Sequence, residues 1–172
     1  MAKLPIILLP DPILRETALP VERLDDATRR LLDDMLETMY DAPGVGLAGP
    51  QVGVLRRLLV MDPAPKDTEP QPQALINPEI LELSEEFQVG EEGCLSIPEI
   101  FAEVERPLWV RVRYVGRHGQ LTEQRFEGRP AVILQHEVDH LNGVLFIDHL
   151  SKLRRDLLIR KFRKARRDEV SA

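Results

Sequence analysis

The chain has 172 residues, 43% of them hydrophobic and 30% charged, and a net charge of −6. That length and apolar content predict one folded domain over residues 1–172 and exclude a disordered polyelectrolyte. The single cysteine, Cys94, excludes an intrachain disulfide, so its thiol is a core filler, a nucleophile or a metal ligand.

In chain order, the first apolar run, Leu4 to Leu9, is interrupted by Pro5 and followed by Pro10. It is too short to span a bilayer and lacks a small-residue cleavage site, so neither secretion nor membrane insertion is expected and the location is read as cytoplasmic. From Asp25 to Tyr40, Leu31, Leu32, Met35, Leu36 and Met39 recur at helical spacing, with Asp25 or Asp26 as the cap. Pro43-Gly44-Val45-Gly46 ends that helix, and Arg57 to Met61 reads as a buried strand. Four prolines between Asp62 and Gln73 predict an extended loop.

Ala74 to Asn77 and Ile80 to Leu83 read as two short strands, followed by a turn-rich region around Gly90 and Gly93. Trp109 to Val115 alternates apolar and charged residues, and Gly116-Arg117-His118-Gly119 turns it into a partner strand over Leu121 to Phe126. Arg111 and Arg113 then face solvent. Gly128-Arg129-Pro130 and Gly143 frame a helix of about three turns. A last helix is expected from Ser151, with Leu153, Leu157, Leu158 and Phe162 on its buried side. Together these elements predict an α+β fold with mostly antiparallel sheets packed around a metal-binding helix, flanked by an N-terminal and a C-terminal helix.

Charge is unevenly spread. Residues 152–167 hold nine Lys or Arg against Asp156 alone, so +8 sits on this stretch and −14 on the rest. An acidic body with one basic tail excludes general coating of nucleic acid, because phosphate contacts would be confined to the tail.

The chemistry concentrates in His136-Glu137-Val138-Asp139-His140, the H-E-x-x-H pattern, inside the helix just framed. Four helical residues turn through about 400° and rise about 6 Å, so both imidazoles leave one face and can share an ion. Glu137 can then stand beside a water on that ion, whose pKa the metal lowers toward ~7, and take its proton. The alternative is a pair of hydrogen-bonded core histidines, and a third ligand decides between the two. The metzincin continuation fails because Phe146 stands where its last histidine belongs. After Glu137 the next glutamate is Glu169, in the polar C-terminal tail. Cys94, preceded by Gly93, is the remaining candidate; two His and one Cys leave a coordination position open for water. A buried structural thiol, or a nucleophile paired with His118 or His149, stays open as an alternative. Both of those histidines otherwise read as solvent-facing or capping residues.

Three segments resemble the peptide deformylases, in that family's order: Gly44 to Gln51, Glu92 to Ser96 and Gln135 to Leu141. Pro10 to Arg15 and Ile76-Asn77-Pro78 are also similar, so the likeness covers about residues 4 to 150. The resemblance implies removal of the formyl group from N-terminal formyl-methionine of nascent peptides, releasing formate, with a water on the metal as nucleophile. It implies that Cys94, His136 and His140 bind the metal, natively Fe²⁺ and replaceable by Zn²⁺, Ni²⁺ or Co²⁺. Glu137 would be general base and then acid, and Gln51 with the backbone N–H of Leu95 would stabilise the oxyanion. Val45, Val132 and Ile133 would line the methionine pocket, with Gly46 and Gly93 beside the substrate chain. The C-terminal helix, about residues 151–167, resembles that of bacterial members in which it helps docking on the ribosome. One departure is Gly49-Pro50, where many members have alanine and a polar residue.

Overall fold

The computed structural model describes residues 2–171, without the side chains of residues 170 and 171. Ten elements follow one another: α1 (Asp26–Asp41), β1 (Gly46–Ala48), β2 (Leu58–Met61), β3 (Gln73–Leu83), β4 (Phe87–Cys94), β5 (Ile97–Pro107), β6 (Trp109–Val115), β7 (Leu121–Glu127), α2 (Arg129–Leu141) and α3 (Lys152–Ser171). The strands form a five-stranded sheet, β1-β2-β3-β6-β7, and a two-stranded sheet, β4-β5. Every ladder is antiparallel. The expected α+β architecture is therefore present, with the H-E-x-x-H segment on α2.

Local signals set several elements as read. Asp25 caps α1 by accepting from the Thr28 amide, and Leu32, Met35 and Met39 on the helix's inner face are fully buried. The hairpin of β6 and β7 runs in unbroken register from Trp109↔Glu127 to Val115↔Leu121. Arg111 and Arg113 lie on its solvated face, paired with Glu82, Glu79 and Glu123. Gly128 and Gly143 flank α2 with φ of 69° and 74°, a region open to glycine at little cost. A side chain at Gly143 would also meet the Arg15 carbonyl at 2.4 Å.

Three expectations are corrected. The two short strands before Leu83 are one strand of 11 residues, because Pro78 falls at a register shift and is absorbed as a bulge. Asn77 there takes φ 52°, and its side chain closes on the backbone N–H and C=O of Val21. The region around Gly90 and Gly93 is strand β4, paired along its length with β5. Ile100, Ala102 and Val104 of β5 point into the core while the residues between them face out, an alternation visible in the sequence once a partner strand exists. Finally, α3 buries Phe162, with Leu158 and Ile159 partly covered, but leaves Leu153 and Leu157 exposed. Residues 155, 158, 159 and 162 recur at helical spacing on one face, and Leu153 and Leu157 fall outside it.

The core has three parts. One joins α2 to the five-stranded sheet through Leu134, Val138, Val112 and Leu75; a second sits between α1 and β2; a third lies under β5, Phe146 and Phe162. Helix α2 touches β1, β2, β5 and β7, so it is held from both sheets. Among the described residues no helix is long and apolar enough to cross a membrane.

Candidate metal centre and active site

His136 and His140 stand one turn apart on α2, and Cys94 ends β4 as the chain turns into β5. One donor atom from each of the three lies within 4.8 Å of the others, and Cys94 Sγ is 3.3 Å from His140 Nε2. His136 and His140 are 8% and 1% exposed. Burial is the largest influence on both rings. It pushes His140 well below the ordinary histidine range; at His136 the opposing charges of Glu137, Cys94 and Glu92 outweigh it and the pKa is raised.

A buried ion-pair network supports the first ligand. Glu92 accepts from His136 Nδ1 at 3.0 Å, which leaves Nε2 directed toward Cys94. Arg106 donates to both Glu92 oxygens at 2.6 and 2.9 Å, and to Asp139 at 2.9 Å. His149 meets the same Asp139 oxygen at 2.8 Å. Burial alone would raise the Glu92 pKa, but hydrogen bonds from His136 and Arg106 and the guanidinium charge hold it down at about 2.

Glu137 is 4% exposed, and its Oε1 is buried without a partner. Burial pushes its pKa up to about 7, against the pull of His136 and Arg106. Gly46 makes room for it, since a Cβ there would stand 2.5 Å from Glu137 Oε2. Gln51 is fully buried in a 3₁₀ turn, Gly49–Val52. The Ala48 amide donates to its Oε1 at 3.0 Å, which turns Nε2 toward Ser96 Oγ at 3.1 Å and Cys94 Sγ at 3.6 Å. Gly49 permits that tight turn, because a Cβ would be 2.6 Å from the Val54 carbonyl.

These groups open onto a cavity of about 500 Å³ lined by Val45, Gly46, Gln51, Gly93, Cys94, Leu95, Val132, Ile133, His136 and Glu137. Every site residue named from the sequence except His140 lines it. His140 lies behind, reached through Cys94. His118 is exposed in the hairpin turn, away from the site. Sequence reasoning missed Arg106, Ser96, Asp139 and Arg129, which also lines the cavity, and it did not place Glu92 beside His136. Glu92 directly precedes Gly93-Cys94, the one local hint; Arg106 sits 14 residues further on and gives none.

A family model described as polypeptide deformylase matches residues 3–156. The chain belongs to the peptide deformylase family. It is 59% identical over 166 residues to a peptide deformylase of Mesorhizobium japonicum, covering 96% of this chain and 94% of that one. A Rhizobium meliloti peptide deformylase is 58% identical, with 94% and 92% covered. Among solved structures, a peptide deformylase from Ehrlichia chaffeensis superposes with a TM-score of 0.93 at 39% identity, covering 98% of this chain and 99% of that one. A structure from the same organism in complex with actinonin gives 0.90 at 41% identity, covering 96% and 98%. As a deformylase, the protein carries its metal site on Cys94, His136 and His140. One thiolate and two imidazoles, converging with both rings buried, fit a divalent transition metal with a coordination position left open.

Proposed function

We propose that this deformylase removes the formyl group from N-terminal formyl-methionine of newly made polypeptides, releasing formate. The observation that carries the reading is Glu137, a buried carboxylate with Oε1 free and Oε2 4.0 Å from His136 Nε2, which stands beside the converging Cys94, His136 and His140 donors and lines the cavity with Cys94 and His136. A divalent ion held there supplies Lewis acidity, lowering the pKa of water and polarising the formyl carbonyl.

The chain's own residues do the rest. Glu137 takes a proton from the attacking water as its oxygen bonds to the formyl carbon, then returns that proton to the methionine nitrogen as the C–N bond breaks. A pKa raised to about 7 suits both transfers. Gln51 Nε2 and the Leu95 backbone N–H donate to the oxygen that gains charge, and one such donor contributes about 3–4 kcal/mol. Ala48 orients the glutamine by occupying its carbonyl oxygen. Val45, Val132 and Ile133 take the methionine side chain, whose full burial contributes ~1.5–3 kcal/mol. Gly46 and Gly93 line the cavity beside the path read for the peptide backbone.

The ion is read as Fe²⁺ in the cell, with Zn²⁺, Ni²⁺ or Co²⁺ as replacements, and the location as cytoplasmic, where formylated chains emerge. Residues 1–172 act as one catalytic domain; the packing of α2 against both sheets supports this. The basic α3 is read as a ribosome contact. Changing exposed Arg160, Arg163 and Lys164 to glutamate should weaken ribosome binding most at low salt, and unchanged binding would sink that reading.

The deciding assay loads the protein anaerobically with Fe²⁺ and follows formate from formyl-Met-Ala-Ser beside an acetylated control. Formate from the first substrate alone is expected. Internal peptide cleavage without formate would identify a metallopeptidase instead.

A further inference from the structure

The β4-β5 sheet has one face packed and one bare. Glu92, Ala102 and Val104 turn inward, while Phe87, Val89 and Glu91 of β4 and Phe101, Glu103 and Glu105 of β5 turn out. Phe87, Val89 and Phe101 are 58%, 65% and 58% exposed. Single exposed apolar residues are ordinary, but three large ones on one small sheet form a patch of the kind that binds partners. Among the described residues no ion pair engages Glu91, Glu103 or Glu105, so their charge is available to a ligand.

This face continues the active-site cavity. Phe101 and Glu91 line both, and the Phe101 ring lies over Gly93, where a Cβ would meet it at 2.5 Å. Cross-strand register carries the surface outward from Gly93↔Phe101 through Glu91↔Glu103 to Val89↔Glu105. The six residue steps from Gly93 to Phe87 span about 20 Å, the reach of about six extended peptide residues.

We propose that the outward face of β4 and β5 is an exosite for the downstream part of the substrate chain, favouring segments that mix apolar and Lys/Arg residues. The proposal rests on the deformylase reading above. Continuity with the cavity singles out the substrate's own continuation. The three free carboxylates set the sign of the charge it prefers. An isologous contact with a second copy would bring those carboxylates together and is disfavoured. A second copy's basic α3 has matching chemistry and is the rival occupant.

The test compares Fe²⁺-loaded parent, Phe87→Ser/Val89→Ser and Glu103→Lys/Glu105→Lys on three substrates. These are formyl-Met-Ala-Ser alone, the same tripeptide with a Leu/Lys tail of about eight residues, and with a Leu/Glu tail of equal length. In the parent, the Leu/Lys tail should lower KM relative to the tripeptide. The serine pair should raise KM for the Leu/Lys substrate about fivefold with kcat and the tripeptide KM unchanged. The lysine pair should reverse the preference between the two tails, an outcome that mere loosening of the sheet does not produce. Equal KM values for parent and both variants on the long substrates would overturn the exosite. So would a parent dimer that the serine pair dissolves without a change in KM. Absence of formate from the tripeptide in the parent would instead overturn the deformylase reading itself.

Discussion

Two sets of arginine-carboxylate pairs sit on antiparallel strands of the two different sheets and do different work. Arg106 of β5 and Glu92 of β4 are each 4% exposed, and they brace the ring of His136. Arg111 of β6 and its partner Glu82 are 41% and 54% exposed, in a ladder with Arg113, Glu79 and Glu123. Residue types and strand setting are alike; what differs is the layer on top. Helix α2 covers the first set and water covers the second. In water the Coulomb gain is screened and largely cancelled by side-chain entropy, whereas under a helix each charge depends on its partner.

The sharpest break in that comparison is Arg106→Leu. It leaves Glu92 buried without its cation and takes one of two partners from half-buried Asp139, which keeps His149, so a loss of about 3–5 kcal/mol in urea unfolding is expected, with loss of bound metal. A loss below 1 kcal/mol would mean that the two arginine sets are equivalent.

Next in size is Glu92→Gln, which keeps shape but removes the charge on His136 Nδ1–H. Metal affinity should fall by about 10–100-fold in chelator competition, with the fold retained by circular dichroism. Undiminished affinity would show that the network serves folding alone.

Asp62 lies between the extremes, since it is buried yet pairs with no cation at short range. Burial works to raise its pKa, but the Tyr40 hydroxyl, the Ala64 and Gln71 amides and the charge of Arg129 prevail, and the value falls below the ordinary 3.8. A depressed folded value means the stabilisation is complete above the unfolded pKa. It is lost as pH falls through the folded one. Urea midpoints of the parent should therefore drop more steeply below about pH 4 than those of Asp62→Asn. Parallel curves would remove Asp62 from the account.

The smallest effect is expected from Arg111→Ala with Arg113→Ala, at about 0.5 kcal/mol or less per pair and shrinking with salt. A loss comparable to that of Arg106→Leu would erase the distinction between the two layers.

Much of the metal centre was legible because it is local. His136 and His140 share a face by helical geometry alone, and the Asp25 cap, the β6-β7 turn and the glycines flanking α2 are likewise short-range. Cys94 was reached by eliminating other ligands, and the resemblance of its neighbours then supplied roles for Gln51 and Leu95. The ion-pair network was not legible. Nothing in a lone arginine at position 106 announces a glutamate at 92 and an aspartate at 139, because that meeting requires β4 to pair with β5 and α2 to cross them. Leu153 and Leu157 misled for a related reason. Apolar character names candidates for burial, but which side of α3 is covered depends on where β5 runs.

By itself the sequence determined the helical chelate of His136 and His140, the carboxylate between them, and the mostly antiparallel α+β class, since short-range periodicity and capping act before distant parts meet. Only the tertiary structure decided that Cys94 comes within reach of both rings, that Glu92 and Arg106 stand behind His136, and that Gly46 leaves Glu137 its space. Those relations depend on pairing between segments far apart in the chain, where the energy of a contact exists only once the fold has brought its partners together.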